Sequence, residues 1–215
     1  MPSKTASGSW IVVTGLDGAG KTTLVHDLGV FFGARTFRLP LHDFVRPMLL
    51  RSGDGEPFSD VHTDRLLFAL DARLANYQIA SWRKAGEILV SQRGWMDNFI
   101  FGAVQGVSHR MTDELLKTLD LEKPTAHIFL IAEPEIAFAR IEHDAKRDKY
   151  ETPDFLVRQH EETLRFLARV PEGPRELAAF FEIPTIMIDT SLKPAETVFG
   201  EVRDLVAAQL AMHDV

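Results

Sequence analysis

The sequence predicts an α/β fold in which a five-stranded parallel sheet carries helices on both faces. Two observations support this class. Short apolar runs alternate along the chain with segments whose apolar residues recur at helical spacing. The composition, 45% hydrophobic and 26% charged over 215 residues, is that of an ordinary globular protein. Because we find no internal repeat or low-complexity linker, residues 1–215 are expected to form a single domain, with residues 1–9 flexible.

Five segments are predicted to be strands because they are short, apolar and followed by turn residues or helical patterns. They comprise residues 10–13, 36–39, 87–91, 126–132 and 184–189. The fourth segment, AHIFLIA, is apolar on both faces, which is typical of a strand inside a parallel sheet. The functional crevice of such a sheet is expected beyond the carboxyl ends of the strands.

Helices are predicted where apolar residues recur every three or four positions. The predicted helices comprise residues 21–32, 64–83, 111–119, 134–143, a stretch that follows Pro153, and 195–212. Gly33 is a natural stop for the first helix, and Pro134 suits the first turn of the fourth. The segment RSGDGEPFSD at 51–60 is predicted to be a surface loop, and the polar run at 144–152 interrupts the helical pattern.

The composition excludes several classes of function. The chain has no cysteine, so it has no disulfides, thiolate zinc sites or cysteine nucleophiles, which suits a reducing compartment. Its net charge of −7 disfavours binding to polymeric nucleic acid. Apolar stretches fall short of the ~20 residues that span a bilayer, and the N-terminus lacks a secretory signal pattern. We therefore expect a cytoplasmic protein that does not bind membranes.

The strongest motif is GLDGAGKT at residues 15–22, which fits G-x-x-x-x-G-K-[ST] between a predicted strand and a predicted helix. Its glycines allow successive backbone N–H groups to point into one concavity, and the helix adds its positive N-terminal dipole. Lys21 is expected to bridge the β- and γ-phosphates of a nucleoside triphosphate, and the Thr22 hydroxyl to bind Mg²⁺. The motif predicts the three-layer sandwich typical of P-loop NTPases.

Several segments together resemble the thymidylate kinase (dTMP kinase) family of P-loop nucleoside monophosphate kinases. They are GLDGAGKTT at 15–23, FRLP at 37–40, RLLFALD at 65–71, SQR at 91–93 and RDKYE at 147–151, and their order and spacing extend the resemblance over most of the chain. The resemblance implies one nucleoside monophosphate kinase domain with a short lid at about residues 144–152. It implies phosphorylation of dTMP to dTDP by ATP with Mg²⁺, and it is compatible with a homodimer.

The resemblance also implies which residues form the site. The residues implied in catalysis are Lys21, Asp17, Arg93, Arg147 and Lys149, the last two because family members without an arginine in the P-loop place a catalytic arginine in the lid. The residues implied in ATP binding are Gly15, Leu16, Asp17, Gly18, Ala19, Gly20, Lys21, Thr22, Thr23 and, along the adenine, Arg140. The residues implied in acceptor binding are Phe68, which would stack on the base, Arg38 and Arg93, which would bind the monophosphate, and Arg73.

Three positions depart from the family pattern. Gln92 stands where the family has an aspartate, and an amide does not replace its full negative charge. Ala72 stands where the family has an arginine that contacts the acceptor nucleotide. Arg73 lies one position further on, which is ~100° of rotation on a helix. Lys149 occupies a position of the lid where the family has an arginine. It keeps the positive charge but lacks the planar guanidinium that can donate two parallel hydrogen bonds to a phosphate.

The residues alone leave other functions open. A kinase for another acceptor, such as dUMP, a modified pyrimidine nucleotide or a nucleoside, would use the same chemistry. A P-loop ATPase or switch that hydrolyses nucleotide is a different class, although the sequence has no N-K-x-D run for guanine. ATP consumption that requires an acceptor distinguishes a kinase from a switch.

Overall fold

The computed structural model describes residues 8–45, 47–48, 60–142, 151–169 and 183–213. Within these ranges, five parallel strands form one sheet in the order β2-β3-β1-β4-β5. The strands are β1 (Trp10–Gly15), β2 (Arg35–Arg38), β3 (Leu89–Gln92), β4 (Ala126–Ile131) and β5 (Thr185–Asp189). The predicted five-stranded parallel sheet is confirmed, with strand ends shifted by one or two residues.

The helices are α1 (Lys21–Phe32), α2 (Val61–Lys84), α3 (Asp97–Val104), α4 (His109–Lys117), α5 (Pro134–Ile141), α6 (Pro153–Arg169) and α7 (Ala195–His213). α1 has the predicted bounds. Gly33 ends it in the left-handed conformation, with φ 60° and its N–H donating to the carbonyl of Gly29. Residues 1–7, most of the predicted loop (51–59) and most of the predicted lid (144–150) lie outside the described residues.

α3 is a helix that the sequence analysis did not predict. Its sequence, DNFIFGAV, is apolar around most of its circumference, so it lacks the alternation of apolar and polar residues that marks a surface helix. Phe99 packs against Phe166 of α6, and Phe101 packs against Phe155 of the same helix. α3 therefore lies buried, and its first turn follows directly on the end of β3.

Apolar side chains cover both faces of the sheet. On one face β1 and β4 pack against α1 and α7, and the buried residues there include Ile11, Ile128, Leu28 and Val202. On the other face the sheet packs against α2, α3 and α6, and the buried residues there include Trp10, Ile79, Phe99, Phe129 and Phe166. The predicted three-layer arrangement is confirmed. In the described parts of the chain, no helix combines the length and apolar character that a bilayer span requires.

The carboxyl ends of β1, β2 and β3 converge at one edge of the sheet. Gln92, the last residue of β3, is in register with Val13 of β1 and with Arg38 of β2. The N–H of Arg93 then donates to the carbonyl of Val13 at 2.8 Å. The loop that follows β1 therefore lies beside the segment that follows β3, and this neighbourhood forms the site.

Candidate active site

The P-loop leads from β1 into α1 and depends on its glycines. Gly18 and Gly20 have φ values of 87° and 94°, a region that residues with a Cβ rarely adopt. At Gly18 an added Cβ would also lie 2.1 Å from the carbonyl oxygen of Ala137, because α5 packs closely over the loop. α1 begins at Lys21, and the unpaired N–H groups of a helix N-terminus favour a bound anion. The backbone thus has the form of a phosphate cradle.

Lys21 is buried, with 3% of its surface exposed, and the P-loop holds its ammonium group. Nζ donates to the carbonyls of Gly15 (3.0 Å) and Leu16 (2.6 Å) and to the Asp17 carboxylate (2.8 Å). Burial lowers the pKa of Lys21, although the charge of Asp17 opposes this shift. A triphosphate in the loop would compete with these oxygens for the ammonium group.

Asp17 joins the P-loop to the residue that follows β3. Arg93 Nη2 donates to both carboxylate oxygens of Asp17, at 3.0 and 2.8 Å, while Lys21 donates to Oδ1. Burial raises the pKa of Asp17, but the positive charges of Arg93 and Lys21 outweigh burial and hold that pKa well below its usual range. The carboxylate is therefore ionised at neutral pH and links the buried Lys21 to Arg93, whose side chain is 11% exposed.

Arg93 has a left-handed backbone conformation, φ 71°, which costs about 1–3 kcal/mol for a residue other than glycine. Its surroundings hold it there. An added Cβ on Gly94 would lie 2.7 Å from Cγ1 of Val12, so the turn after Arg93 packs directly on β1. The guanidinium carbon lies 4.8 Å from the ring centroid of Phe101 on α3. The packing of Gly94 on Val12 and the contact with Phe101 therefore fix the direction of the Arg93 side chain.

Asp97 is a buried acid of this site that the sequence analysis missed. Its Oδ2 accepts hydrogen bonds from the Thr14 hydroxyl (2.7 Å) and from the N–H of Gly94 (2.8 Å). Burial raises the pKa of Asp97, although Arg93 opposes this shift. Its partners come from β1 and from the turn after β3, so no local motif marks it. Asp97 fastens the turn that carries Arg93 to the end of β1.

The oxygen atoms suited to Mg²⁺ lie at the start of α1. Thr22 Oγ1 donates to Gln92 Oε1 at 3.3 Å. Mg²⁺ takes oxygen ligands and keeps several waters, so one or two protein oxygens with substrate phosphates are enough. Among the described residues, at this place or any other, no group of three or more acidic, histidine or cysteine side chains could hold a metal ion. The donor set fits a metal ion that binds together with phosphates.

A cleft opens beside Arg93; we call it the acceptor cleft. Its wall is formed by the segment after β2, by α2 and by α3, and it includes Leu39, Pro40, Arg65, Phe68, Ala72, Trp95, Asp97, Asn98 and Phe101. The structure therefore brings Phe68 and Arg93 together in one cleft. It also places Arg65 and Asn98 there, which the sequence analysis did not single out.

The segment after β2 is fastened to α2 by Asp71. This buried carboxylate accepts hydrogen bonds from the N–H groups of Leu41 and His42, each at 2.9 Å. The two bonds hold Pro40 in the wall of the acceptor cleft. Arg38, the last residue of β2, is half-buried and lies at the edge of the site rather than in the cleft wall.

Arg73 does not line the acceptor cleft. Its Nη1 donates to the carbonyl of Leu119 at 2.9 Å, and its Nη2 donates to the Tyr77 hydroxyl at 2.7 Å. Ala72, one position earlier, faces the cleft instead. Because one step along a helix rotates a side chain by ~100°, neighbouring positions point in different directions. The structure brings Arg65, and not Arg73, into the cleft.

A second cleft lies beside the P-loop; we call it the donor cleft. Arg140 of α5 lies in its wall and donates to the carbonyls of Gly18 (3.1 Å), Thr190 (2.9 Å) and Ser191 (3.1 Å). The Thr190 hydroxyl donates to the carbonyl of Ala19 at 3.2 Å. These bonds tie the P-loop to the segment after β5. Arg147 and Lys149, the predicted lid cations, lie outside the described residues.

Comparison with known proteins identifies the family. The profile of the thymidylate kinase family matches residues 13–202. The chain belongs to the thymidylate kinase family. It is 28% identical over 207 residues to a probable thymidylate kinase of Pyrobaculum aerophilum, covering 92% of this chain and 96% of that relative. It is 28% identical over 219 residues to the thymidylate kinase of Geobacillus thermodenitrificans, covering 95% and 92%.

The fold agrees with this thymidylate kinase assignment. The structure of the Candida albicans thymidylate kinase superposes with a TM-score of 0.73 at 16% identity, covering 94% of this chain and 92% of that one. Family membership confirms the resemblance found in the sequence and the predicted enzyme class, a nucleoside monophosphate kinase. It also confirms the predicted activity, ATP-dependent phosphorylation of dTMP to dTDP, over the ATPase or switch alternative.

Proposed function

We propose that this chain binds ATP at the P-loop, binds dTMP in the acceptor cleft, and transfers the phosphoryl group beside Asp17. The observation that carries the proposal is the shared carboxylate of Asp17, which bonds Lys21 of the P-loop and Arg93 of the acceptor cleft. One cation of the P-loop and one cation of the acceptor cleft therefore contact the same carboxylate. Phosphoryl transfer needs positive charge at such a point, because negative charge from both substrates accumulates there.

The reaction requires positioning and charge neutralisation rather than covalent help from the protein. An oxygen of the dTMP phosphate forms a bond to the γ-phosphorus of ATP. The bond from that phosphorus to the β–γ bridging oxygen breaks, and ADP leaves with the electron pair. Lys21 binds the β- and γ-phosphate oxygens, and the guanidinium of Arg93 binds the acceptor phosphate. Asp17 orients both cations until the phosphates become their partners.

The remaining acceptor contacts follow the walls of the cleft. Phe68 offers its ring face to the base, a stacking interaction worth roughly 1–3 kcal/mol. Arg38, at the end of β2, adds a second cation for the monophosphate. On the ATP side, the P-loop N–H groups of residues 15–23 hold the phosphates, and Arg140 lies along the adenine.

We further propose that Thr22 holds Mg²⁺, with ATP phosphates and water as the other ligands. The bound ion neutralises charge on the transferred group. Gln92 accepts the hydrogen bond from the Thr22 hydroxyl and therefore orients it without adding a charge. Arg147 and Lys149 are proposed to complete the positive charge from the lid, at about residues 144–152, because the P-loop has Ala19 and no arginine.

We also propose that the protein is a cytoplasmic homodimer. The absence of cysteine suits a reducing compartment. Leu66, Leu70 and Tyr77 of α2 are 58%, 47% and 61% exposed and lie at helical spacing, so they form an apolar stripe that a second copy could cover. Sedimentation of the wild type and of Leu70→Glu tests this: the wild type should be a dimer and the variant a monomer.

The test of the proposed function is the rate of ADP formation with ATP and Mg²⁺ in the presence of each of dTMP, dUMP, dCMP, dAMP and dGMP. We expect ADP formation to require a monophosphate and kcat/KM to be highest for dTMP. Equal ATP hydrolysis without an acceptor would contradict the kinase mechanism. A preference of about tenfold for a purine nucleotide, ~1.4 kcal/mol in transition-state binding, would contradict the assignment of the acceptor cleft.

A further inference from the structure

The Ser91 hydroxyl in β3 lies between two groups that each need a hydrogen-bond partner. Ser91 is fully buried, and its Oγ accepts a hydrogen bond from the indole N–H of Trp10 at 2.9 Å. The same hydroxyl donates to the carbonyl of Arg93 at 2.9 Å. An indole N–H can donate but not accept, and a hydroxyl has one proton to donate. Trp10 therefore occupies a lone pair of the oxygen, and the proton of Ser91 points to Arg93.

The peptide group between Arg93 and Gly94 is held at both ends. Its carbonyl accepts from the Ser91 hydroxyl, and its N–H donates to Oδ2 of Asp97 at 2.8 Å. The preceding peptide group is also held, because the N–H of Arg93 donates to the carbonyl of Val13. Together these bonds fix the peptide groups on both sides of Arg93, whose φ is 71°. A left-handed conformation is unfavourable for a residue with a Cβ and persists where the surroundings impose it.

We propose that Ser91 is a positioning residue for phosphoryl transfer, because its hydroxyl keeps Arg93 in the left-handed conformation from which the guanidinium reaches the acceptor phosphate. This inference rests on the proposed role of Arg93 in binding dTMP. A change in the backbone dihedral angles of Arg93 would carry its guanidinium away from Asp17 and from the acceptor cleft. When a smaller fraction of molecules has the binding conformation, the apparent affinity for the ligand falls in proportion to that fraction.

The Ser91 hydroxyl also stabilises the fold, and this second role is separable from the first. Trp10 is fully buried, and a buried indole N–H needs an acceptor. The Trp10 ring packs edge-on against Trp95, with ring centroids 5.2 Å apart, so its place does not depend on Ser91 alone. Loss of the hydroxyl should therefore lower the free energy of unfolding through Trp10 and lower acceptor affinity through Arg93. The first effect concerns the whole fold, whereas the second concerns one of the two substrates.

The test compares KM for dTMP with KM for ATP in Ser91→Ala, which removes the hydroxyl. We expect KM for dTMP to rise by about fivefold or more and KM for ATP to change by less than about twofold. ATP is proposed to depend on the P-loop rather than on the turn after β3. An unchanged KM for dTMP in a folded Ser91→Ala protein would overturn the inference, as would an equal rise in both constants.

Thr125→Val is the matched control. Thr125 Oγ1 accepts from the backbone N–H of Trp10 at 3.1 Å, at the start of β1, whereas Arg93 lies beside the end of that strand. The variant thus also removes a hydroxyl that bonds Trp10, without touching the turn after β3. Its KM for dTMP should remain that of the wild type. A rise in Thr125→Val as large as that in Ser91→Ala would mean that general loosening of the sheet weakens acceptor binding, and the inference would fail.

A second pair of variants isolates the bond to Arg93. Trp10→Phe removes the indole donor and leaves the Ser91 hydroxyl to Arg93. Trp10→Phe/Ser91→Ala then removes the hydroxyl without leaving an indole N–H unpaired, so it decides if circular dichroism shows that Ser91→Ala does not fold. Relative to Trp10→Phe, the double variant should raise KM for dTMP by about fivefold or more. No rise would show that the hydroxyl serves Trp10 alone, and would overturn the inference.

Ser91 and Asp97 hold opposite ends of one peptide group, so their effects on acceptor binding should not be independent. Once either bond is lost, the peptide group is already released. The rise in KM for dTMP in Ser91→Ala/Asp97→Ala should therefore be smaller than the product of the rises in the two single variants. A rise equal to that product would contradict a shared peptide group and overturn the inference.

The outcomes separate this inference from the proposed function. A wild-type protein that forms no ADP with dTMP overturns the proposed function, and the inference with it. A wild-type protein that acts on dTMP, together with a Ser91→Ala protein whose KM for dTMP is unchanged, overturns the inference alone.

Discussion

Arg93 and Asp17, 76 residues apart in the chain, are joined by two hydrogen bonds at 3.0 and 2.8 Å. The contact exists because β1 and β3 are neighbouring parallel strands, so the residues that follow them meet at the same edge of the sheet. It connects the loop proposed to bind ATP with the arginine proposed to bind the acceptor phosphate. Lys21 and Arg93, the two cations proposed to bind phosphates, are therefore coupled through one carboxylate.

Lys21→Met should abolish phosphoryl transfer while the fold is retained. The variant removes the cation proposed to neutralise the transferred group, a loss that we expect to lower kcat by about 100-fold or more. Asp17 keeps its bonds to Arg93, so circular dichroism and the unfolding temperature should change little. Lys84→Met, at an exposed position, is the matched control. Substantial activity in a folded Lys21→Met protein would contradict the ATP site.

Asp17→Asn should destabilise the protein when no nucleotide is present. The variant removes the negative charge shared by Lys21 and Arg93, and loss of one partner of a buried ion pair costs about 3–5 kcal/mol. Added ATP should recover more of the unfolding temperature than it adds to the wild type, because phosphates can replace the carboxylate. Asp204→Asn, in an exposed ion pair, should unfold like the wild type. Equal unfolding temperatures for Asp17→Asn and the wild type would argue against the coupling.

Asp97→Ala and Asp97→Asn should behave differently. Asparagine keeps an oxygen that accepts from the Thr14 hydroxyl and the Gly94 N–H, whereas alanine leaves both donors unpaired, at about 1–3 kcal/mol each. Because this turn directs Arg93, the alanine variant should also raise KM for dTMP more than KM for ATP. Urea unfolding and initial rates measure the two effects. If the two variants were equally stable, the hydrogen bonds of Asp97 would not be what holds the turn.

Replacing both lid cations, Arg147→Ala/Lys149→Ala, should lower kcat far more than it weakens ATP binding. The reason is that a lid contact matures in the transition state rather than in the ground state. Steady-state kinetics and ATP titration measure the two quantities on the same protein. A loss of ATP affinity with unchanged kcat would show that this run binds the donor without assisting transfer.

The free energy of unfolding should decrease in mild acid because of His127. This residue of β4 is 1% exposed, and its two ring nitrogens have no hydrogen bond to other described residues. Burial lowers the pKa of His127 from 6.5 to about 3. Between these values the unfolded chain takes up a proton that the folded protein does not, so stability is full above pH ~6.5 and falls as the pH decreases.

The expected loss from His127 between pH 7 and pH 5 is roughly 2 kcal/mol. Urea unfolding at both pH values, in the wild type and in His127→Phe, measures it. The variant should show a smaller difference between the two pH values, whereas His62→Gln, at an exposed position, should match the wild type. An equally large difference in His127→Phe would assign the acid sensitivity to other groups.

The sequence predicted those parts of the molecule whose signals are local. The P-loop is one contiguous motif between a strand and a helix, and α1 is bounded by that motif and by Gly33, so its ends could be placed correctly. The five-stranded parallel sheet also followed from the alternation of strand and helix patterns, whereas the order of its strands was not predicted. α3 was missed because it is buried on nearly all sides. Such a helix has no polar face, so its apolar residues do not recur every three or four positions among polar ones.

The parts of the site that the sequence did not predict depend on contacts between distant residues or on helix rotation. Asp97 is identified as a site residue by its hydrogen bond with Thr14, which lies 83 positions away in the chain. Arg65 is the first residue of the segment RLLFALD, and Arg73 lies two positions after its end; the direction of each side chain on the helix decides which one reaches the cleft. The rotation of α2 is set by its packing on the sheet, which no short motif encodes.

The close approach of Gly94 to Val12 limits how this protein can evolve. A Cβ at position 94 would lie 2.7 Å from one methyl group of Val12 and 3.2 Å from the other. A residue larger than glycine therefore fits at position 94 once Val12 has been replaced by a smaller residue, and not before. The order in which mutations arise along a lineage is thereby constrained. Val12, a strand residue that contributes packing, therefore restricts which residues can follow Arg93 in the chain.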